Sequence, residues 1–425
     1  MIRIVMSRKI NNIILRTKLS PKLCRSLALT FLSASILFLN SGCTDKNEPD
    51  PDPESKVYAT SILLYAVASN NLSYDFLSDM QELTDGARQL DLSRSDIWIY
   101  SLTPKDTPSL RHIVKDSDGK IVAETVKEYS RDSFSTDPKR ISEVIGDYLS
   151  LSPASDRGLI MWSHATGWQP NFSDHIVPSV TKSTDSSNKI DLPANYSFGA
   201  DNYLGTTDYC DILEHDEAIP ADTFDYIWFD CCYMSAIEVL YQLRDKAPYI
   251  VAYPTEVSAE GMPYDLTIPH MAKAGYDIEG AARAMSKYYL DKNAVITIAI
   301  TDTSALPELA EAAKTAVLDG NDRLPILRLQ RYHRNPNGPF VDLGHLIQTW
   351  GEAAPDGWAA DKFEAALDKA VIYKEASANG FDRRPIDPEN YSGISSHYFE
   401  DFGNEKSEYY KRLDWFRDVY TNYYE

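Results

Sequence analysis

The chain has 425 residues, of which 43% are hydrophobic and 25% charged, and its formal net charge is −21 at pH 7. This length and apolar content suffice for a large packed core with room for two subdomains. Because nucleic-acid binding needs a basic surface, the acidic balance argues against that class of partner.

The first 42 residues read as a signal peptide. A basic region without acidic residues precedes a 13-residue apolar run at positions 27–39, which is shorter than a membrane span but typical of a signal-peptide core. The segment Asn40-Ser41-Gly42-Cys43 resembles a bacterial lipobox, after which Cys43 would be lipidated and become the mature amino terminus. The alternative is an ordinary secretory signal with an incidental cysteine.

Residues 43–56 are acidic and proline-rich, so we expect a lipidated, disordered tether. Acidic residues directly after a lipidated cysteine also resemble the surface-export signal of Bacteroidetes lipoproteins. The sequence therefore predicts an extracytoplasmic protein, held at the outer membrane or cell surface through Cys43.

Alternating strand and helix patterns follow from residue 57. The first apolar run, 57–67, is typical of a central parallel strand, and a helix with apolar side chains at helical spacing follows it. Further elements are predicted at 96–102 (strand), 109–114 and 120–126 (hairpin around Asp116–Gly119), and 139–149 (helix).

Two more buried strands, 158–163 and 226–229, are separated by a segment with little periodicity, 169–203. At about 35 residues this segment is too long for an ordinary connection, so it is functional or disordered. The remaining predicted elements are strands at 249–253, 294–300 and 393–398, and helices at 236–244, 278–290, 304–318 and 361–370. An aromatic segment at 408–423 is expected to dock on the rest. The pattern indicates an α/β sandwich over 57–302 and a mainly helical subdomain over 303–425 packed on it.

A histidine and a cysteine follow the two buried strands on either side of the long loop. His164 comes directly after 158–163, and Cys232 comes soon after 226–229. Parallel sheets place their chemistry at such strand ends, and a thiol needs a nearby imidazole or positive environment to become a nucleophile at neutral pH. The pair predicts a cysteine hydrolase. The alternative is that Cys232 is a small buried hydrophobe.

The sequence resembles the clostripain-like cysteine peptidases of the caspase-like clan. The resemblance spans roughly residues 60–400 and rests on five segments: 65–72 (YAVASNNL), 163–168 (SHATGW), 229–235 (FDCCYMS), 252–265 (AYPTEVSAEGMPYD) and 393–398 (GISSHY). It implies a caspase-like three-layer sandwich with a mainly parallel central sheet. It also implies a cysteine endopeptidase acting on proteins or peptides through a Cys-His dyad and an acyl-enzyme.

The resemblance assigns roles residue by residue. Cys232 would be the nucleophile and His164 the general acid and base, while the backbone N–H groups of Ala165 and Cys232 would form the oxyanion hole. Asp230 would be the carboxylate of the primary specificity pocket, with Glu260 as a second one, which implies cleavage after Arg or Lys. The alternatives are that Asp230 caps the following helix and that Glu260 is an exposed loop carboxylate.

Two positions depart from the family pattern. Ala165 stands where the family has glycine, and a positive φ there would cost on the order of 1 kcal/mol. Cys231 stands where the family has alanine, and strand alternation is expected to direct it to the other face from Cys232. The first departure supports a rival function, a catalytically weak or inactive peptidase-fold surface lipoprotein that acts in binding.

Some relatives cut themselves between the histidine and the cysteine. Lys182 and Lys189 are the only basic residues between Gln169 and Tyr203, so they are the expected cleavage points; a merely flexible insertion is the alternative. The resemblance implies no organic cofactor, although some relatives use calcium, which the acidic composition permits. His175 and His215 lack metal-ligand spacing, so no metal site is expected. We expect a monomer.

Overall fold

The computed structural model describes residues 57–169, 198–319, 329–332, 340–352, 358–381, 383–397 and 405–424. The predicted signal peptide, the tether with Cys43, and the predicted cleavage points Lys182 and Lys189 lie outside these residues. None of the helices in the described ranges is both long and apolar enough to cross a bilayer.

The first half of the chain alternates strands and helices as the sequence pattern indicates. Its elements are β1 (Tyr58–Val67), α1 (Ser73–Ala87), β2 (Ser95–Leu102), β3 (Ser109–Lys115), β4 (Ile121–Glu128), α2 (Pro138–Leu151), β5 (Ala154–Trp162), β6 (Phe198–Tyr203), β7 (Thr206–Cys210), α3 (Ile212–Ala218) and β8 (Tyr226–Asp230). The end of the predicted long loop, 198–203, is thus a strand, which forms a hairpin with β7.

The second half adds three strands to the same sheet, together with several helices. Its elements are α4 (Ile237–Gln242), β9 (Tyr249–Ala252), α5 (Tyr264–Met271), α6 (Ile278–Asp291), β10 (Thr297–Asp302), α7 (Leu306–Asp319), β11 (Phe340–Asp342), α8 (Leu343–Glu352), α9 (Trp358–Ala370), β12 (Val371–Ala376), β13 (Ser395–His397), α10 (Glu405–Tyr410), a π-helix (Phe416–Tyr420) and α11 (Thr421–Tyr424).

Within the described ranges the central sheet has nine strands, in the order β12-β10-β9-β8-β5-β1-β2-β3-β4. The five inner strands from β9 to β2 are parallel, and the strands at both edges are antiparallel. This arrangement confirms the predicted mainly parallel α/β sheet. Strand β12 was not predicted, because its residues (VIYKEA) continue directly from α9.

Two apolar layers cover the sheet, one on each face. Along β1, Leu63 and Tyr65 belong to the layer that includes α2, α4, α7 and α9, whereas Ile62 and Leu64 belong to the layer that includes α1, α5 and α6. The alternation follows from the period of two residues in a strand. All four side chains are buried, with exposures of 0–1%, and each stabilises the fold by roughly 1.5–3 kcal/mol. The result is the expected three-layer sandwich.

Candidate active site

The register between β5 and β8 determines where the two candidate catalytic residues lie. These strands are parallel, and Trp162 pairs with Asp230 at their last common position. His164 and Cys232 each follow that pair by two residues, so they leave neighbouring strands at the same level. Both are partly buried. The structure therefore brings the two predicted residues to one carboxyl edge of the sheet, where α/β folds place ligands.

His164 is held by a residue that follows β1, the strand that pairs with β5 on the side away from β8. Its Nε2 lies 2.7 Å from Oδ1 of Asn71, which follows β1. Because an amide oxygen only accepts, Nε2 carries the proton and the Nδ1 lone pair remains available. Burial lowers the pKa of His164 to about 4, so the ring is neutral at pH 7. In the sequence, Asn71 stood out only as part of the segment 65–72 that carries the family resemblance, and this contact was missed.

The Cys232 thiol faces the loop that follows β9. The backbone N–H of Val257 donates to its Sγ at 3.4 Å, and the thiol lies 3.9 Å from the carbonyl oxygen of the same residue, to which it can donate. No hydrogen bond joins His164 to Cys232 in this structure. Among the described residues, Cys210, Cys231 and Cys232 form no disulfide.

Cys231 is buried in the apolar layer against which Cys232 also packs. Cys231 continues the alternation of Ile227 and Phe229, which belong to the same layer. The Sγ of Cys232 contacts Val257, which packs on the other layer, so the expected separation of the two cysteines is only partial. Burial raises the pKa of Cys231 well above its ordinary value, so its thiol stays protonated at neutral pH.

The residue after Cys232 has an unusual backbone conformation. Tyr233 has φ +61°, in the left-handed region that non-glycine residues rarely adopt. Its N–H donates to the Thr255 carbonyl at 2.8 Å, and its ring stacks on Phe340 with centroids 5.1 Å apart. These contacts hold the sharp turn that presents Cys232 at the end of β8.

The loop that carries His164 contacts the turn that carries Cys232. Gly167 has φ +68°, and a Cβ there would lie 3.0 Å from the Tyr233 carbonyl oxygen and 3.2 Å from Cζ of Phe340. Ala165, in contrast, is not among the described residues with positive φ. The glycine that this loop requires is therefore at 167, and alanine at 165 introduces no backbone strain.

Asp230 is buried beneath this edge, on the α5 side of the sheet. Its Oδ2 accepts from the Met262 N–H at 3.1 Å and from the Tyr264 hydroxyl at 3.0 Å, and its Oδ1 accepts from the Tyr253 hydroxyl at 3.4 Å. Burial raises the pKa of Asp230 to about 6. The alternative that Asp230 caps the next helix is wrong, because the residue before α4 is Ala236.

A second buried carboxyl group lies beside Asp230. Asp79 of α1 is 2% exposed, and its Oδ2 accepts from Nε1 of Trp162 at 2.8 Å. Burial, and then the neighbouring Asp230, raise the pKa of Asp79 to about 9. Sequence reasoning missed Asp79; its position on the apolar face of α1, one turn after the buried Phe76, was the available signal.

Glu260 lies in the same loop as Met262, but at its surface. It is exposed, and its Oε2 lies 3.5 Å from Nζ of Lys292. The structure therefore brings Glu260 to the loop that covers Asp230 without a direct contact between the two carboxyl groups.

The C-terminal segment packs behind both catalytic loops. Trp168, four residues after His164, lies edge-on to the rings of His397 and Tyr410, each with centroids 4.8 Å away. Glu238 of α4 is fully buried, and its Oε1 accepts at 2.8 Å from both the His397 N–H and the Tyr410 hydroxyl. One aromatic cluster thus supports the histidine loop and the helix after the cysteine.

No group of three or more His, Cys, Asp or Glu side chains in the described ranges is arranged to hold a metal ion. The site therefore consists of a thiol, an imidazole with its amide partner, backbone N–H groups and buried carboxyl groups. Such a set supports acyl transfer through a covalent thioester.

Comparison with known proteins agrees with this chemistry. The model of the clostripain family matches residues 64–424. One similar solved structure is an inactive zymogen C11 protease from Parabacteroides distasonis, with 25% identity and a TM-score of 0.72. Another is a secreted C11 cysteine protease from Bacteroides thetaiotaomicron in complex with an irreversible peptide inhibitor, with 22% identity and a TM-score of 0.70. Each alignment covers 86% of this chain and 99% of the other. No curated protein matches. The chain belongs to the clostripain family, and it is a cysteine peptidase with a caspase-like fold.

Proposed function

We propose that this cysteine peptidase is an endopeptidase that cleaves after Arg or Lys, with Cys232 as nucleophile and His164 as general acid and base. The observation that carries the proposal is the β5–β8 register, in which both residues follow one paired position, Trp162 and Asp230. The neutral His164 ring suits a thiol that must lose its proton near pH 7.

The reaction starts when His164 accepts the Cys232 proton at Nδ1 and the thiolate attacks the scissile carbonyl carbon. The Ala165 and Cys232 N–H groups stabilise the oxyanion; no acceptor among the described residues binds the Ala165 N–H. His164 then protonates the leaving amine. Water hydrolyses the thioester with His164 as general base, which restores the thiol. The apo side chains would first have to approach each other, as catalytic groups commonly do on substrate binding.

The specificity after Arg or Lys rests on Asp230. A buried carboxyl group two residues before the nucleophile is a suitable partner for a guanidinium or ammonium group, because a charge-assisted hydrogen bond is strong in a water-poor pocket. Glu260 would contribute less, because it is exposed and Lys292, at 3.5 Å, partly compensates its charge.

The proposal includes the setting in which the enzyme works. The B. thetaiotaomicron protein is described as secreted and was solved with a peptide inhibitor, which supports an extracytoplasmic enzyme acting on peptides or proteins, here held to the membrane through a lipid on Cys43. The mechanism needs no organic cofactor, and we propose a monomer. Assays with a calcium chelator test whether calcium contributes.

Turnover of fluorogenic peptides with Arg, Lys, Ala or Asp before the leaving group tests the proposal. Residues 57–425 and the Cys232→Ala variant would be compared after the loop 169–203 has been cut. We expect turnover of the Arg and Lys peptides that is abolished by the substitution. Absence of turnover on all four peptides by the folded, cut protein would instead favour a surface lipoprotein that binds without catalysis.

A further inference from the structure

Two carboxyl groups are buried side by side beneath the proposed specificity pocket. The proposed function assigns a role to only one of them, Asp230. Asp79 and Asp230 are 2% and 3% exposed. They lie on the same face of the sheet, since Trp162, which binds Asp79, pairs with Asp230 across β5 and β8. The two carboxyl groups are close enough to interact, since Asp230, after burial, raises the pKa of Asp79. After burial, both groups also raise the pKa of Tyr264.

The hydrogen bonds of the two groups are unequal. Asp230 accepts three, from Met262, Tyr264 and Tyr253, whereas the structure gives Asp79 one, from the Trp162 indole. No Lys, Arg or His of the described ranges forms an ion pair with either carboxyl group. A buried carboxyl group without a cation is costly, so such groups are normally paired.

Other acidic side chains lead from this pair toward the surface. Glu82, one turn after Asp79 on α1, is partly buried, and its Oε2 accepts from the Tyr264 N–H at 3.2 Å. Beyond it lies the exposed Glu260. Burial raises the pKa of Glu82, and the charges of Asp265 and Glu260 raise it further. The charges that face Asp79 are all acidic: Asp75 and Glu82 on its own helix, and Asp230 at the end of β8.

We propose that Asp79 is a specificity-determining residue, which together with Asp230 binds the positive side chain before the scissile bond. The inference rests on the proposed function, because it concerns the same pocket. The substrate guanidinium or ammonium group supplies the counter-charge that the two carboxyl groups lack in the free enzyme.

Binding is coupled to a proton. Burial and Asp230 keep Asp79 protonated in the free enzyme at pH 7.5, so a bound cation displaces that proton to solvent as the carboxylate forms. Substrates with an uncharged side chain at this position gain nothing from Asp79. The coupling therefore discriminates basic from neutral substrates.

The test compares Asp79→Asn with Asp75→Asn, which removes from the same helix the acidic neighbour with the smallest effect on Asp79. Asparagine keeps the volume and can still accept from Trp162. We expect Asp79→Asn to lower kcat/KM for the Arg peptide roughly 10- to 100-fold, mainly through KM, while kcat/KM for the Ala peptide stays within about twofold. Asp75→Asn should change neither.

Several outcomes would overturn the inference. One is an unchanged Arg-to-Ala preference in Asp79→Asn; another is an equal loss on both peptides with slower alkylation of Cys232 by iodoacetamide, which would indicate a purely structural role. If wild-type enzyme turns over neither Arg nor Lys peptides, the proposed function itself fails.

A second measurement needs no variant. Benzamidine, a mimic of the arginine side chain, would be titrated into the wild-type enzyme by calorimetry at pH 7.5 in two buffers of different ionisation enthalpy. Release of close to one proton per bound benzamidine supports the coupling. Binding without proton release overturns it.

Discussion

Asn71 and His164 are joined by a hydrogen bond of 2.7 Å between residues that follow two adjacent parallel strands, β1 and β5. Together with the Trp162–Asp230 pair, this contact places three strand ends in one site. The imidazole is thus fixed from the side of β1, while the thiol comes from the side of β8.

Replacing Asn71 with Ala should lower kcat roughly 10- to 100-fold with little change in KM, since misplacing a catalytic group by about 1 Å can cost about a hundredfold. His164→Ala should cost about 10²- to 10⁴-fold. Asn71→Asp keeps the acceptor but adds a charge, so it should raise the pKa of His164 from about 4 and move the acid limb of the kcat/KM profile to higher pH. An unshifted acid limb in Asn71→Asp would contradict the assignment.

Gly167→Ala should destabilise the fold and impair catalysis together. The positive φ alone costs about 1–2 kcal/mol, and the new Cβ would lie 3.0 Å from the Tyr233 carbonyl oxygen. Gly205→Ala is the matched control, because its φ is +81° and nothing lies within 4 Å of a Cβ there. Urea unfolding and peptide turnover should show a greater loss of both for Gly167→Ala; equal losses would mean that the contact between the loops is unimportant.

The pKa of Asp79, raised to about 9, predicts how stability depends on pH. Between pH 6 and pH 8 the folded protein retains a proton that the unfolded chain has lost, so the free energy of unfolding falls as pH rises, by at most about 1.4 kcal/mol per pH unit. Asp79→Asn should flatten this fall, whereas Asp75→Asn should not. Urea unfolding in a Cys232→Ala background measures it without self-digestion, and parallel curves for all three proteins would refute the prediction.

The loop between His164 and Cys232 should be cut by the enzyme itself. The related P. distasonis structure is described as an inactive zymogen, which supports activation by cleavage. Incubation followed by intact-mass measurement should give fragments ending at Lys182 or Lys189, and none in Cys232→Ala or in the double variant Lys182→Ala/Lys189→Ala. An uncut wild-type chain that nevertheless turns over peptides would remove the hypothesis.

The sequence predicted the inner strands and the two strand ends well, because β1, β5 and β8 are continuous apolar runs followed by polar motifs. It did not predict the β6–β7 hairpin, which has few apolar residues and positive φ at Ala200 and Leu204. It also could not reveal Asp79. Helical periodicity marks that position as buried, but only the folded chain shows that its partners are Trp162 and Asp230.

The aromatic cluster around Trp168 joins the catalytic loops to residues near the carboxyl terminus, which are synthesised last. His164 and Cys232 lie near the middle of the chain, yet the rings and the Glu238 contacts that support their loops come from His397 and Tyr410. A nascent chain that ends before Ser395 lacks this support. The two catalytic loops therefore gain their full support only after residues 395–410 have been made and have packed against them.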